Sequence, residues 1–412
     1  MSRQPNNVWG VRVIFPPKRF AFSFSKLINI FFASTLLFSF MSNRLYVDVG
    51  FSFTLLFLLT LAGFFYKLVM LKKWILLKNP IIYLLGLFYF ISAISFFYSD
   101  FQESSFRFFL GSILVVFYII VSFQFLVRIG NDFNRVIDIS LKLYLLSSLL
   151  YYLLGVSSFS ILQEHQFIYG IFVEKSLPRL VGFTIDPNFA ALTFCFSFFF
   201  YFNGDKNLKF SRIFIFLSLI LLLLTLSRGG VITLLVVLLI TNVNKITFRT
   251  LFLTIVMLFI TSIILFVINY FSLIDLVTIF EKRLAGSSTG AGRFNIWKNA
   301  FELYTNAPLF GTGIFTFRHY NAIFFNTDLY AHNTFLEILV ELGSIGFTVF
   351  FLIFLLMTLY SFKMRFYCGY LLPSILCLFI MSLSLSLYLN SIFAFFILVF
   401  SVVYYNFWRV KN

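Results

Sequence analysis

Residues 210–243 read FSRIFIFLSLILLLLTLSRGGVITLLVVLLITNV, two apolar runs that meet at Ser227-Arg228-Gly229-Gly230. One helix carrying both would extend well beyond the roughly 20 residues that cross a hydrocarbon core. Glycine adopts backbone conformations closed to other residues, so the double glycine is the easiest place for the chain to reverse. The stretch predicts two spans, 210–227 and 229–243, with Arg228 between them.

Other apolar runs repeat the pattern at 20–41, 49–71, 80–98, 107–127, 136–156, 183–203, 250–271, 333–361, 370–388 and 391–408. With 61% hydrophobic and 11% charged residues, the chain is not a soluble domain. The predicted fold class is all-α: a polytopic integral membrane protein of about twelve transmembrane helices, a single transmembrane domain over 1–412. Arg3, Arg12, Lys18 and Arg19 precede an apolar segment too long for a signal peptide, without a small-residue cleavage site, which predicts an uncleaved first span. Cys195, Cys368 and Cys377 have no metal-like spacing, so neither a metal site nor a disulfide framework is expected.

The reversal at Arg228 also sets the orientation. With the N-terminus inside, the inner segments hold Lys72, Lys73 and Lys78, then Arg128 and Arg135, then Lys206, Lys209 and Arg212. Lys245 and Arg249, Lys363 and Arg365, and Arg409 and Lys411 follow on the same side, while the short outer turns hold Arg44 and Arg107. This is the positive-inside pattern, and without the reversal every later loop would invert. It accounts for the net charge of +16, which in a soluble chain would suggest nucleic acid; no nucleic-acid partner is expected.

Two outer loops are long, 157–182 and 272–332, and long loops carry function or disorder. His165, His319 and His332 fall on this side, with Arg179, Arg228, Arg293 and Arg318. Within the larger loop, Phe294, Trp297, Phe301 and Tyr304 recur at helical spacing opposite Asn295, Lys298, Asn299 and Glu302. That pattern predicts an amphipathic helix lying on the membrane surface, ended by Ala307-Pro308, with a tight turn at Gly311-Thr312-Gly313.

The residues at these boundaries carry two readings each. His332 is an interfacial residue before an Asn333 or Thr334 cap, or a base that titrates near neutrality. Arg228 snorkels to headgroups, or offers its planar fork to phosphate oxygens at a backbone opened by glycine. Asp186-Pro187-Asn188 starts a helix, or lines a site and pairs with an arginine. Glu337 and Glu341 share one helix face and must meet protein or water, with arginines as the expected partners.

These pieces together resemble a known family. Arg179-Leu180-Val181-Gly182-Phe183 with Asp186-Pro187-Asn188-Phe189-Ala190 is similar to the first signature of the bacterial O-antigen polymerase and ligase superfamily, and Leu226-Ser227-Arg228-Gly229-Gly230 to its second. Gly292-Arg293, Ile296-Trp297, Pro308, Gly311 and Gly313 resemble its large-loop signature. His332-Asn333, Phe335-Leu336-Glu337, Glu341-Leu342-Gly343 and Gly346 close the pattern, which covers 179 to 346. The resemblance implies a glycosyltransferase of the inner membrane, its active site facing the periplasm, that uses glycan linked to undecaprenyl diphosphate without cofactor or metal. It assigns the diphosphate to Arg228 and Arg293, with Arg179 and Arg318 as helpers, and the acceptor to His332 and Asn333. Asp186, Asn188 and Glu337 support the site, and Lys282, Arg283 and Lys298 compete for the phosphate role. A chain-length regulator and a flippase are the expected protein partners.

Chemistry alone reaches a compatible picture. Displacing a lipid diphosphate from an anomeric carbon develops negative charge that preplaced arginines stabilise, while a base on the opposite face activates a hydroxyl and inverts the centre. Within the family, the Phe, Ile, Leu and Tyr bias matches the AT-rich coding of polysaccharide gene clusters and favours a polymerase over an O-antigen ligase acting on lipid A-core. A transporter or flippase is the alternative of another class, against which the arginines gather at the outer ends of the spans.

Overall fold

The computed structural model describes residues 29–31, 33–34, 39, 46–48, 52–70, 74–75, 78–159, 165–174, 177–204, 208–242, 293–388 and 390–411. Span 250–271, most of span 20–41, the loop before Arg293, and the side chains of Arg44, Lys72, Lys73, Lys206, Lys245, Arg249, Lys282 and Arg283 lie outside the described residues.

The other ten expected spans coincide with helices. They are α1 Leu55–Met70, α2 Pro80–Ser95, α3 Gln102–Ile129, α4 Phe133–Ser157, α5 Pro187–Asn203, α6 Ser211–Leu224 and α7 Arg228–Asn242. After α8 Arg293–Asn306 and α9 Phe317–Phe325 in the large loop come α10 Thr334–Lys363, α11 Leu371–Ser382 and α12 Ser391–Lys411. Among the described residues, five helices are long and apolar enough to cross a membrane: α2 with its following 3₁₀ turn, α3, α4, α10 and α12.

The hub is α5. It is buried from Phe189 through Tyr201, as a helix that is apolar all round must be. Helices α6, α7 and α11 surround it. Its Phe196 ring packs edge-on against Tyr370, Phe395 and Phe396, and Phe335 at the head of α10 meets Phe350, Phe354 and Phe379 in the same way. The abundant phenylalanine therefore fills the interior as well as facing lipid.

Two expectations need correction. The chain breaks at Thr225–Ser227, with Leu226 in the left-handed region (φ 52°), one step before the double glycine. The glycines sit in the first turn of α7, where a Cβ on Gly230 would lie 2.6 Å from that of Ala191 on the hub, so their function is close helix packing. Loop 157–182 contains a small antiparallel sheet, β3 Phe167–Ile168, β4 Ile171–Glu174 and β5 Leu177–Leu180, docked on α4 through the Gly170 amide and Tyr151 O at 3.1 Å. A two-stranded hairpin, β1 Tyr46–Asp48 with β2 Ser52–Thr54, is the other sheet. Helix α8 buries Ile296, Ala300 and Leu303 against α10, while Phe294 and Phe301 are exposed. The aliphatic stripe is the face that packs on α10.

Helix α10 is broken at Gly343, whose φ of 62° and ψ of −166° belong to a region essentially restricted to glycine. Loop 308–313 docks into the break. Thr312 and Gly313 amides donate to Val340 and Glu341 carbonyls at 3.0 and 2.9 Å, and Ser344 and Ile345 amides donate to Pro308 and Leu309 carbonyls at 2.9 and 3.3 Å. These bonds recapture backbone groups freed by the break, as irregular backbone among packed apolar helices requires. Beyond the break, Ser344–Lys363 still supplies the roughly 20 residues that cross a hydrocarbon core.

Candidate active site

The polar residues collect where the starts of α5, α7, α8 and α10 meet β4, β5 and the loop between α11 and α12. Asp186 caps α5, accepting the Asn188 amide at 2.6 Å, with Pro187 in the first turn. Asn188 Oδ1 accepts the Ser227 hydroxyl at 2.6 Å, and Ser227 Oγ accepts the Gly230 amide at 3.1 Å. These bonds fix the start of α7, so Arg228 is presented from a rigid turn.

Three arginines converge there. In the β4–β5 register Glu174 stands opposite Leu177, which places Arg179 on its diagonal, and the two side chains form an ion pair. Arg179 Nε also donates to Thr225 O at 3.1 Å, on the break before Arg228. Arg293 opens α8 and lies close enough to Asp186, Arg228, Arg179 and Glu174 for their charges to act on it. Burial lowers its pKa most, Asp186 opposes that, and Arg228 and Arg179 add to it; a guanidinium stays charged nonetheless. Neither Arg228 nor Arg293 forms a hydrogen bond or ion pair with any described residue. Two cations are left open, side by side.

His332 joins this cluster from the other side. Its backbone is left-handed (φ 49°), and Asn333 beside it caps α10 by accepting the Phe335 and Leu336 amides at 3.1 and 3.2 Å. The Trp297 indole donates to Ala331 O at 2.9 Å, pinning the preceding residue to α8. A left-handed non-glycine residue is costly and persists where its surroundings over-determine it. Burial and the Arg293 charge push the imidazole below its ordinary 6.5, with Asp186 opposing. The ring is therefore neutral at physiological pH and available as a base.

A cavity of about 400 Å³ opens beside it. Asp186, His332 and Glu337 line it together with the rings of Phe189, Phe315, Tyr330 and Tyr388, and Ser386 and Asn390 come from the α11–α12 loop. That loop is held by Thr334, whose amide and hydroxyl donate to Leu385 O at 2.9 and 2.5 Å and whose Oγ1 accepts the Leu387 amide at 2.9 Å. Glu337 accepts the Ser386 hydroxyl at 2.6 Å. Glu341 accepts the Phe317 amide at 3.2 Å and the Tyr388 hydroxyl at 2.9 Å. The arginine partners expected for these two acids are replaced by hydroxyls and a backbone amide, because the acids point into the helix bundle and not toward the β4–β5 sheet.

The remaining candidates lie apart. Arg318 forms a two-pronged ion pair with Asp328, at 2.5 and 2.7 Å, and packs over the Tyr330 ring. His319 shares a hydrogen bond of 2.8 Å with Ser104 and stacks on Phe101. His165 precedes β3, and its amide donates to Val173 O on β4 at 2.9 Å. Glu174, Tyr330, Ser386 and Asn390 carried no signal in the sequence: they are ordinary residues until the sheet and the α11–α12 loop fold onto the site.

Comparison with curated proteins returns no match. A comparison with family models returns one described as O-antigen ligase, over residues 213–351. The matched stretch runs from α6 into α10, beginning after Arg179, Asp186 and Asn188. That stretch, which carries Arg228, Arg293, Arg318 and His332, is where the chain is similar to the O-antigen ligase family.

Proposed function

We propose that the protein is a polysaccharide polymerase that joins repeat units carried on undecaprenyl diphosphate, by metal-independent glycosyl transfer on the periplasmic side of the inner membrane. The observation that carries this reading is the pair Arg228 and Arg293, neither hydrogen-bonded nor ion-paired among the described residues, beside a neutral histidine on a strained backbone. A diphosphate fits between the two guanidinium groups, which offer charge-assisted hydrogen bonds to its oxygens. His332 takes the proton of the acceptor hydroxyl as the oxygen forms its bond to the anomeric carbon. The bond from that carbon to the diphosphate breaks, and the electron pair leaves with undecaprenyl diphosphate, whose charge the arginines hold. Arg179, neutralised by Glu174, holds the start of α7, and Asn333 orients His332 through its cap.

The test uses purified protein and lipid-diphosphate-linked repeat unit as sole substrate. A ladder of longer lipid-linked glycans is expected, absent in His332→Ala and Arg228→Ala. Product that forms after lipid A-core is added, and not before, would make the protein a ligase. Passage of the lipid-linked sugar across vesicles without a new bond would make it a transporter.

A further inference from the structure

The cavity beside His332 holds one feature the transfer chemistry leaves unused. Glu337 is fully buried, and while its Oε1 accepts Ser386, its Oε2 has no hydrogen-bond partner among the described residues. The backbone amides of Ala331 and His332 face the carboxylate without closing a bond on Oε2. A buried carboxylate oxygen left open is costly, and native interiors keep such groups where a ligand or water completes them. This one belongs to a residue in the wall of a cavity of small-molecule size.

We infer that this cavity is the acceptor pocket and that it takes an uncharged sugar ring, with Glu337 Oε2 accepting one of its hydroxyls. The rings of Phe315 and Tyr330 give the flat apolar wall against which the C–H face of a sugar packs, and Ser386 and Asn390 add polar contacts at its edge. The charge of the lining selects the sugar: it contains the carboxyl groups of Asp186 and Glu337 and no lysine or arginine. A hexuronate would bring its carboxylate beside Asp186 with no cation in the lining to receive it, and such a contact is an effective means of rejection. Arg228 and Arg293, which favour anions, are not among the residues that line the cavity, so the anionic donor and the neutral acceptor are sorted by charge. The word acceptor rests on the glycosyl-transfer reading; the sugar pocket does not.

The test is binding alone, with the full chain in lipid nanodiscs and no lipid-linked donor. Saturation-transfer NMR is recorded with methyl glycosides of neutral hexoses, N-acetylhexosamines and hexuronates. Signal is expected for at least one neutral glycoside and for no hexuronate. It should fall at least fivefold in Glu337→Gln, and also in Ile185→Trp, which obstructs the cavity from a half-exposed position where folding is spared. Absence of signal from every neutral glycoside, equal signal from hexuronates, or signal undiminished in either folded variant would overturn the inference. A missing polymer ladder alongside positive binding would instead count against the transfer reading.

Discussion

At His332 a strained backbone, burial and two opposed neighbouring charges meet. Asn333 caps α10, Trp297 holds Ala331, and the residue between them is forced into the left-handed region. Arg293 and Asp186 then act oppositely on the imidazole, which gives a prediction with a definite sign. Followed by NMR of ring-labelled histidine, the His332 titration should lie below the ordinary 6.5 in the unmodified protein. Removing the Arg293 charge in Arg293→Gln should move it upward, and Asp186→Asn should move it further down. Shifts of the reverse sign would mean that the ring does not share a field with these groups. His332, Arg228 and Arg293 are conspicuous in the sequence because they are polar residues at the edges of apolar runs. That Arg318 is spoken for by Asp328, and Arg179 by Glu174, is not legible there, since both pairings depend on how a loop and a sheet fold.

Among the elements, the broken helix α10 does most to build the site. Above Gly343 its first turns carry Asn333, Glu337 and Glu341; at the break, loop 308–313 is stitched in by backbone hydrogen bonds. A Cβ on Gly343 would lie 2.3 Å from Leu309 O, and one on Gly311 2.4 Å from the Glu341 backbone. Gly343→Ala is therefore expected to cost about 2–3 kcal/mol or more, from the forbidden backbone region and the collision together. Unfolding in detergent should register that loss, with weakened activity. An alanine variant as stable as the parent would mean that the loop is not seated in the break. The sequence marks Gly311 and Gly313 as a tight turn but does not reveal that Gly311 meets the Glu341–Leu342 backbone or that Gly343 meets that of Leu309 and Phe310.

For the whole molecule, span length and hydropathy are strong local signals, which is why ten expected spans coincide with helices. Side chains brought together from distant elements have no comparable signal. The proposed orientation, with the N-terminus inside, puts the α8 end outside and the α10–α11 turn inside. The native cysteines in the described chain are buried, so introduced ones report cleanly. Thr305→Cys should react with a membrane-impermeant maleimide in intact cells, and Phe366→Cys only after permeabilisation; both positions are exposed. The opposite pattern would invert the topology and move the arginines to the cytoplasmic face.

The most direct measurement of the central idea is equilibrium binding of undecaprenyl diphosphate to the purified protein in nanodiscs. Charge-assisted hydrogen bonds are worth about 1.5–3 kcal/mol each, so Arg228→Ala and Arg293→Ala should each raise Kd roughly tenfold to a hundredfold. Arg318→Ala, which removes a guanidinium already engaged by Asp328, should leave Kd within about threefold, as expected for an exposed pair. Unchanged binding in both Arg228→Ala and Arg293→Ala, or a loss confined to Arg318→Ala, would contradict the assignment of the two open arginines to the diphosphate.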